Sequence, residues 1–358
     1  MKVALVYDRV NKFGGAERVL LALHDLFPDA PLYTSVYDKK RAPWAGSFEV
    51  RTSFLQKLPL PKNAHEYYPF LMGIAFESFN FDGFDLVISV THEFAKAIIT
   101  KPGTSHICYC LNPVGYLWDS YNDYFVSKPL WFKRLTAQMI KILRYYDKIA
   151  SHRPDKYLTI SKTVRERIKR IYGQDSGVVY PPVQILNSKP KIPNQNFFLI
   201  VSRLVPQKRI DIAVDAFNKL GLPLKIIGTG KELKRLKKRA KKNIEFLGYL
   251  SDKTVAKYYA ACKAVIIPGK EDFNIVAVEA QAFGKPVIAF GEGGVTETVI
   301  SGLTGWFFEK PNPKDLAQTV KKMLPSLDTV KKEVCQKQAD RFSKTQFEKN
   351  FLKYVRHY

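Results

Sequence analysis

Cysteine and histidine are scarce in this sequence of 358 residues, which contains four cysteines and six histidines. The cysteines are scattered, and no cluster of cysteine and histidine has the spacing of a zinc site. Their positions are Cys108, Cys110, Cys262 and Cys335. We therefore expect free, reduced thiols.

Long apolar runs are also missing, since no stretch reaches the roughly eighteen apolar residues that a transmembrane helix requires. Residues 1–7 lead directly into a predicted strand without a signal peptide. We expect a cytoplasmic protein, or one held peripherally on the inner face of the cytoplasmic membrane. The hydrophobic share of 46% supplies ample core and excludes a disordered chain. The length favours two domains of ordinary size.

Acidic residues are too few to balance the basic ones: 33 Asp and Glu stand against 57 Lys and Arg, a formal net charge of +24. Such a charge attracts anionic partners, which include nucleic acid, phospholipid headgroups and pyrophosphate-linked substrates. Arginine-rich segments with interleaved stacking aromatics are absent, and the lysine run at residues 231–242 is typical of a solvated helix face. We expect no nucleic-acid partner, and a nucleic-acid-binding protein is the less favoured alternative.

Residues 128–148, KPLWFKRLTAQMIKILRYYDK, mix aromatic and aliphatic side chains with basic ones. The pattern is typical of a basic amphipathic helix: it mixes the apolar residues Trp131, Phe132, Leu135, Ile142 and Leu143 with the basic residues Lys133, Arg134, Lys141 and Arg144. Such a helix either lies on an anionic membrane surface or is an ordinary helix of a soluble domain. The sequence leaves both interpretations open.

Common catalytic motifs are absent as well. We find no nucleophilic Ser or Cys motif with a His partner, no metal-binding motif and no P-loop. Gly228 and Gly230 form a short glycine turn that lacks the third glycine of a dinucleotide fingerprint. These absences exclude several enzyme classes and leave the chemistry to charged side chains and backbone amides.

The most informative stretch is residues 268–294, PGKEDFNIVAVEAQAFGKPVIAFGEGG. It predicts a buried strand, a loop with Glu271, a helix with Glu279, a second strand, and a turn at Gly293 and Gly294. In an open parallel sheet, ligands bind in the crevice beyond the carboxyl ends of the strands. We therefore expect the loop and the glycine turn to face one pocket.

The two glutamates of this stretch suit a sugar ligand, because a carboxylate accepts two hydrogen bonds from a vicinal diol. One could hold a sugar and the other a ribose, although either alone could be a solvated charge. Glu279 stands in a nearly apolar helix, so we expect it on a largely buried segment where a carboxylate needs partners. The apolar neighbours are Val276, Ala277, Val278 and Ala280.

The stretch resembles the signature of the retaining, nucleotide-sugar-dependent glycosyltransferases of family 4. The positions that correspond to this signature are Glu271, Phe273, Asn274, Glu279, Gly284, Pro286, Gly293, Gly294 and Glu297. Asn274 replaces the usual glycine at the point where the family's backbone approaches the donor sugar. Asn tolerates a positive φ better than any residue except glycine, so we expect the turn to survive.

Strands alternate with helices in both halves of the chain, which predicts an α/β protein with two doubly wound, Rossmann-like domains. The resemblance implies the GT-B fold, in which two such domains face each other across a cleft. Paired prolines in VVYPPV mark the expected domain joint. We predict an acceptor-binding domain over residues 1–183, a nucleotide-sugar-binding domain over 184–342, and a closing helix over 343–358 that returns to the first domain.

The first domain contains two candidate contacts with substrate. Gly14 and Gly15 follow the first predicted strand, KVALVY, and precede a helix, so their amides and the positive helix end face the carboxyl edge of the sheet. With Glu17 they match the family's Gly-Gly-x-Glu motif, which implies contact with donor phosphates or acceptor. His92 follows the strand FDLVISV. A lone histidine is often structural, but the resemblance implies that His92 touches the transferred sugar.

Residues 111–124, LNPVGYLWDSYNDY, are similar to a block in the O-antigen mannosyltransferase branch of the family. The matching residues are Pro113, Tyr116, Trp118 and Asp119, while Gly115 occupies the branch's basic position. This likeness favours mannose as the sugar and GDP-mannose as the donor. A UDP-sugar remains the alternative.

Arg203 and Lys208 directly follow FFLIVS, a continuous apolar run typical of a parallel strand buried on both faces. Two cations there, beside a helix that starts near Arg209, form a site for a diphosphate. Either residue alone could be a solvent-exposed charge without a role in binding. Together they match the family's Ser-Arg-Leu and following Lys, which implies neutralisation of the leaving diphosphate. We place the base near Tyr249 and Leu250, past another strand end.

The predicted catalytic set is His92, Glu271, Arg203 and Lys208. The predicted donor-binding set is Gly14, Gly15, Arg203, Lys208, Tyr249, Leu250, Glu271, Asp272, Phe273, Asn274, Ile275, Val276, Glu279, Gly293 and Gly294. We assign the ribose to Glu279 and the transferred sugar to Glu271 and His92. Preorganised cations and amide dipoles can stabilise a departing diphosphate without a metal, so we expect neither a cofactor nor a catalytic metal.

The resemblance implies transfer with retention of anomeric configuration, from a nucleotide sugar to a glycan or a polyprenyl-diphosphate-linked oligosaccharide. Two other interpretations stay open. One is a UDP-sugar-dependent enzyme of the same family. The other is a catalytically impaired nucleotide-sugar-binding protein, which would be consistent with Asn274 and Gly115.

Overall fold

The computed structural model describes residues 1–58, 69–119, 121, 129–184 and 196–356. Some predicted features therefore lie partly outside the described residues: the aromatic block at 120 and 122–124, the basic helix at 128, the linker at 185–195 and the closing helix at 357–358. The chain divides into two compact units. The first comprises residues 1–182 with 347–358, and the second comprises residues 183–346.

The first unit contains a seven-stranded parallel sheet in the order β3-β2-β1-β4-β5-β6-β7. Its central strands are fully buried, as expected of a sheet covered on both faces. The strands are β1 (Val3–Tyr7), β2 (Leu32–Thr34), β3 (Val50–Thr52), β4 (Leu86–Thr91), β5 (Ser105–Cys110), β6 (Lys156–Thr159) and β7 (Ser176–Val178).

Helices connect these strands. They are α1 (Gly15–Leu26), α2 (Pro69–Glu77), α3 (Leu130–Ala150) and α4 (Lys162–Tyr172), with short 3-10 helices at Pro43–Ser47, Phe54–Lys57 and Ala95–Ala97. Local sequence sets both ends of α4. The Ser161 hydroxyl caps its beginning by accepting a hydrogen bond from the Val164 amide, and Gly173 ends the helix at φ 71°. The last helix, α12 (Lys344–Val355), contributes Phe347 and Phe351, which pack against Tyr109.

The second unit contains a six-stranded parallel sheet in the order β10-β9-β8-β11-β12-β13. Its strands are β8 (Phe198–Val201), β9 (Leu224–Ile227), β10 (Ile244–Gly248), β11 (Val265–Ile267), β12 (Val287–Phe290) and β13 (Gly305–Phe308). Its helices are α5 (Ile210–Leu220), α6 (Leu233–Arg239), α7 (Asp252–Ala261), α8 (Ile275–Ala282), α9 (Val295–Thr298), α10 (Pro313–Met323) and α11 (Lys332–Asp340), with 3-10 helices at Pro206–Lys208 and Leu324–Thr329.

The strand order of this second sheet reverses between β8 and β11, which pair directly although they are not consecutive in the chain. From β8 the chain moves outward to β9 and β10, then returns to β11 and continues in the opposite direction. In doubly wound sheets, the carboxyl edge at such a switch point is where ligands bind. We therefore expect a ligand-binding site in the loops that follow β8 and β11.

The structure confirms the prediction of two doubly wound parallel α/β units. It also contains short strands that the sequence did not predict, namely β2, β3, β7 and β13. Residues 41–58 contain β3 between two short 3-10 helices. These four strands have only three or four residues, and unlike the equally short β8 and β12 they contain no consecutive Val, Ile or Leu residues that would indicate a buried strand.

All four cysteines are free and buried. Burial raises the pKa of the Cys262 thiol to about 12 and that of Cys335 to about 11, so both remain protonated at neutral pH. Among the described residues, no helix is long and apolar enough to span a bilayer.

Candidate functional site

Two predicted site residues meet at the switch point of the second unit. Lys208 ends the 3-10 helix after β8, and Glu271 lies in the loop after β11. The Lys208 Nζ atom lies 2.6 Å from Oε1 and 2.5 Å from Oε2 of Glu271. The two side chains are 23% and 19% exposed, so the pair is partly shielded yet open to a ligand. One cation and one carboxylate are thus held within hydrogen-bond reach of the same small volume.

The glycine turn after β12 supports the loop that carries Glu271. The Gly294 amide donates to the Glu271 carbonyl at 2.7 Å, and Gly293 adopts φ 83°, a conformation that favours glycine. A Cβ added at Gly294 would lie 2.2 Å from the Asp272 carbonyl oxygen. Only residues without side chains permit this close approach, which fixes the position of the Glu271 loop.

Asn274 joins this loop to α8. Its φ is 78°, which confirms that Asn at this position supports the left-handed turn. Its side-chain oxygen also accepts from the Ala277 amide at 2.9 Å, so the residue caps the first turn of α8. Glycine could supply the same turn but not this cap. Ile275 and Val276 form the first turn of the helix and are half-buried.

Glu279 is half-buried and lies on α8, which is a largely buried helix as the sequence predicted. Its Oε2 accepts a hydrogen bond of 2.8 Å from the hydroxyl of Tyr259 on α7. Tyr259 is buried and stacks on Phe283, which holds the hydroxyl in place. The glutamate is therefore oriented by a partner that the sequence analysis did not identify.

The remaining predicted donor residues of this unit differ in exposure. The Arg203 side chain is exposed, and its guanidinium makes no hydrogen bond or ion pair with the residues that the structure describes. Phe273 is buried against Phe342 and supports the loop rather than facing solvent. Tyr249 follows β10 and is 80% exposed, while Leu250 packs against the core. The exposed ring of Tyr249 offers a surface on which a base could stack.

The first unit contains a second polar centre, built on Asp8. This carboxylate directly follows β1, is fully buried and accepts five hydrogen bonds of 2.8–3.1 Å. The donors are the Thr91 hydroxyl and the amides of His92, Glu93, Phe94 and Ala95. Burial alone would raise the pKa of Asp8, but the hydrogen bonds and charge of His92 hold that pKa below its ordinary value.

His92 is positioned by charged neighbours on both of its ring nitrogens. Nδ1 lies 3.2 Å from Asp8 Oδ2, and Nε2 lies 3.4 Å from a guanidinium nitrogen of Arg9. Arg9 in turn pairs with Glu93, and this pair is nearly inaccessible to solvent. His92 itself is 28% exposed, so its ring is held in place and still reaches solvent.

Gly14 and Gly15 begin α1, but the glutamate of their motif faces the interior of the unit. Glu17 is 1% exposed and accepts from the buried hydroxyl of Tyr7 at 2.6 Å. Burial, with the charge of Glu17, raises the pKa of Tyr7. Glu17 therefore anchors α1 to β1, while the two glycines form the loop at the carboxyl end of β1.

The aromatic block is tied to the same unit through a buried ion pair. Lys96 Nζ lies 2.6 Å from Asp147 Oδ1, and both side chains are at most 1% exposed. Asp147 also accepts from Trp118 Nε1 and from the Tyr172 hydroxyl, each at 2.8 Å. Trp118 thus supports the loop that follows His92. Asp119 instead pairs with Arg167 and Arg170 on α4.

Sequence reasoning missed Asp8 and Tyr259. A signal for Asp8 exists, because it is the first polar residue after the buried strand VALVY and so lies at the carboxyl edge of the sheet. Tyr259 offers no such signal, since its link to Glu279 joins two helices that are adjacent only in the folded chain. Among the described residues, no group of three or more His, Cys, Asp or Glu is arranged to hold a metal ion.

Comparison with known proteins finds matches to the second unit. Residues 184–341 match the family described as Glycosyl transferases group 1. An uncharacterized glycosyltransferase of Methanocaldococcus jannaschii is 36% identical over 188 residues, which cover 51% of this chain and 53% of that protein. The alpha-1,3/1,6-mannosyltransferase ALG2 of Dictyostelium discoideum is 29% identical over 164 residues, which cover 37% of this chain and 38% of that protein. This chain thus spans about half or less of these curated relatives.

Solved structures match the whole chain. Anabaena HepE in complex with UDP has a TM-score of 0.74 at 18% identity, with 100% of both chains covered. The apo form of the lipopolysaccharide outer core galactosyltransferase WaaB has a TM-score of 0.70 at 19% identity, with 99% of both chains covered. At such identities the likeness shows the fold, which is of the GT-B type with two Rossmann-like domains.

Proposed function

We propose that this protein transfers a hexose, our preferred candidate being mannose, from a nucleotide sugar to a glycan or lipid-linked oligosaccharide. The match of residues 184–341 to the glycosyl transferases group 1 family supports this proposal. The observation that carries the proposal is the Lys208–Glu271 pair at the switch point of the second sheet. A cation for a phosphate and a carboxylate for sugar hydroxyls stand side by side there. The close backbone packing of Gly293 and Gly294 holds their loop in register.

In the proposed complex, the diphosphate of the donor binds Arg203 and Lys208. Arg203 is exposed and makes no ion pair with described residues, so it can turn toward an anion without breaking one. Lys208 can bridge Glu271 and a phosphate oxygen, because an ammonium has three donors. These cations stabilise the negative charge that develops on the leaving diphosphate. We propose that the reaction needs no metal in the catalytic site.

Carboxylates orient the two sugar rings of the donor in this proposal. Glu279, held by Tyr259, accepts hydrogen bonds from the ribose diol. Glu271 accepts from hydroxyls of the transferred sugar, and we assign His92 of the first unit to that sugar as well. Asp8 and Arg9 lie beside the two ring nitrogens of His92, and the 28% exposure of this side chain leaves part of the ring accessible to a ligand.

We propose that the configuration at the anomeric carbon is retained. The acceptor oxygen attacks from the face that the diphosphate leaves, the bond from the anomeric carbon to the phosphate oxygen breaks, and a departing diphosphate oxygen takes the acceptor's proton. The products are the glycosylated acceptor and the nucleoside diphosphate. No covalent enzyme intermediate is required.

Our preferred donor is GDP-mannose. The aromatic block of residues 111–124 supports this choice, and the mannosyltransferase name of one relative agrees with it. A UDP-sugar is the second candidate, because HepE was solved with UDP-glucose and WaaB is a galactosyltransferase. A polyprenyl-diphosphate-linked oligosaccharide is the preferred acceptor, since its diphosphate would suit a chain of net charge +24.

Calorimetric titration tests the donor. The full chain is titrated with GDP-mannose, GDP, UDP-glucose, UDP-N-acetylglucosamine and UDP, first without metal and then with magnesium. Binding of GDP and GDP-mannose alone supports our choice, and binding of UDP compounds alone replaces it. Donor binding without transfer to any lipid-linked acceptor would favour an impaired binding protein. If a folded sample binds none of them, the proposed function is wrong.

Two substitutions test the site. Arg203→Ala should weaken donor binding by about 1.5 to 3 kcal/mol, the loss expected for a charged hydrogen bond to phosphate. Glu271→Ala should abolish transfer while leaving the fold intact. Lys234→Ala, at an exposed lysine on α6 of the same unit, is the matched control for a change of charge. Wild-type behaviour of both site variants would contradict the assignment.

A further inference from the structure

Two helices of the first unit expose large apolar side chains. The α2 helix and the longer α3 helix present them outward, at exposed fractions far above those of core residues. They are Phe70 (39%) and Ile74 (51%) on α2, and Trp131 (66%), Ile142 (56%), Tyr145 (70%) and Ile149 (46%) on α3. We call these six residues, with the basic residues beside them, the α2–α3 surface.

The two helices are in contact with each other. The Tyr146 hydroxyl on α3 donates to Glu77 on α2 at 2.8 Å, and the Tyr146 ring lies against Gly73, where an added Cβ would come within 2.6 Å. At about 100° per residue, Ile142 and Ile149 lie within roughly 60° of Tyr146 around α3. The apolar stripe of α3 therefore lies next to α2, the helix that exposes Phe70 and Ile74.

Basic residues line the other edge of this stripe. Arg134, Lys141 and Lys148 are exposed and lie roughly 60° to 120° further around α3 than Ile142 and Ile149. The only carboxylates of the two helices face away from solvent or are neutralised. Glu77 pairs with Arg153, and Asp147 is buried against Lys96. The outward face thus combines apolar and positively charged groups without an exposed negative charge.

We propose that the α2–α3 surface docks on the headgroup region of an anionic lipid bilayer. An amphipathic helix of this composition lies in the interfacial plane, with its apolar side in the headgroup and acyl boundary and its Lys and Arg on the anionic headgroups. Trp131 and Tyr145 suit that interface, because each combines an apolar ring with a polar tip. This inference is independent of the transfer reaction proposed above.

Charge separates a bilayer from the obvious competing occupant, a second copy of this chain. Pairing of two such surfaces across a twofold axis would bring the same basic residues of both copies together. Like charges at an interface oppose association. An anionic bilayer instead matches the basic edge and accepts the apolar stripe at the same time.

The first experiment separates a specific surface from general attraction to a chain of net charge +24. Co-sedimentation measures binding of the full chain to vesicles of phosphatidylcholine alone, and of phosphatidylcholine mixed with an equal amount of phosphatidylglycerol. We expect binding to the mixed vesicles only. The variant Arg134→Glu with Lys141→Glu should bind at least about tenfold more weakly, because each basic residue near the surface contributes severalfold.

The matched control is Lys237→Glu with Lys238→Glu on α6 of the second unit, which makes the same change of charge at exposed lysines without neighbouring apolar exposure. It should weaken vesicle binding by less than about threefold. Equal losses in both double variants would overturn the proposal in favour of diffuse electrostatic attraction. Absence of wild-type binding to the mixed vesicles at low salt would overturn it outright.

A second pair of variants tests the apolar stripe. Trp131→Ser with Ile149→Ser should lower binding to mixed vesicles at least about tenfold, while Ile300→Ser with Leu303→Ser, at exposed apolar residues of the second unit, should leave it unchanged. Circular dichroism confirms folding of each variant. If the first pair leaves vesicle binding unchanged, or instead converts a dimer to a monomer in sedimentation, lipid docking through this surface is wrong.

Discussion

Asn274 illustrates how a single residue departs from a family pattern without losing the local geometry. The left-handed turn was predictable from residue type alone, because Asn tolerates positive φ and the position precedes an apolar helical run. Its capping bond to Ala277 was not predicted, although Asn is a favoured N-cap residue. The two properties can be separated by substitution.

Replacing Asn274 by alanine should lower the free energy of unfolding by about 1 to 2 kcal/mol, because the variant loses the cap and retains a Cβ at positive φ. Asn274→Gly also loses the cap but relaxes the dihedral angle, so we expect a change of at most about 0.5 kcal/mol. Urea denaturation of both variants measures the difference. Equal destabilisation would show that φ at this position carries no cost.

Charged partners at the residue scale were much harder to predict than individual charges. Lys208 and Glu271 were assigned separately to phosphate and sugar, yet they form an ion pair with each other across 63 positions of sequence. A single sequence carries no signal for such a pair. Asp8 and Arg9 around His92 are a second example, since only the folded β1 and β4 bring them together.

Asp8 should make the first unit sensitive to acid. Its folded pKa is lowered, so its carboxylate contributes stability above the unfolded pKa near 3.9, and this contribution is lost as the pH falls through the folded pKa. Asp8→Asn places an amide among backbone donors and should cost about 2 to 4 kcal/mol at pH 7.

The stability difference between wild type and Asp8→Asn should therefore narrow below about pH 4. Urea unfolding at pH 7 and pH 3 measures it, with circular dichroism as the signal. A difference that stays constant over this range would show that the Asp8 carboxylate is not what orders the loop after β4.

At the scale of whole elements, predictability followed length and burial. Apolar runs such as those of β1, β4, β8 and β12 were predicted because their buried residues are consecutive. Edge strands such as β3 and β7 were missed, since VRT and SGV are neither apolar nor long enough to alternate. These strands form because the neighbouring strand of the sheet offers them a row of hydrogen-bonding groups.

The contact between the glycine turn after β12 and the Glu271 loop is an element-level feature with a direct test. Gly294→Ala would place a Cβ 2.2 Å from the Asp272 carbonyl oxygen, so the loop must move. We expect a loss of about 1 to 3 kcal/mol of stability and weaker donor binding measured by calorimetry. Gly46→Ala is the control, because its Cβ would meet nothing within 4 Å.

If Gly294→Ala binds donor as tightly as the wild type while Gly46→Ala also behaves normally, the glycine turn does not position the Glu271 loop for a ligand. A loss of stability without a loss of affinity would lead to the same conclusion. Only a joint loss supports the role that we propose for this contact.

At the scale of the whole molecule, the sequence shows both the net charge and the alternation of strands and helices. The alternation indicates the fold, whereas the charge indicates the kind of partner. The alternation predicted two doubly wound units, which the topology confirms. The charge of +24 predicts attraction to anions without selecting one. The structure shows that fewer basic side chains are available to anions than the sequence contains, because some form ion pairs within the chain, as Arg167 and Arg170 do with Asp119.

Salt should therefore separate diffuse attraction from a built donor site. Binding of a single-stranded oligonucleotide depends on the number of phosphates contacted, with a slope of log affinity against log salt of about −0.7 per phosphate. A nucleotide sugar has only two phosphates and gains hydrogen bonds from Glu271 and Glu279 that salt hardly screens. We expect donor binding to persist at about 0.3 M salt, where oligonucleotide binding has become undetectable. In a salt series, fluorescence anisotropy measures oligonucleotide binding and calorimetry measures donor binding. If the affinity for the oligonucleotide is as resistant to salt as the affinity for the donor, the basic charge would instead indicate a nucleic-acid-binding protein.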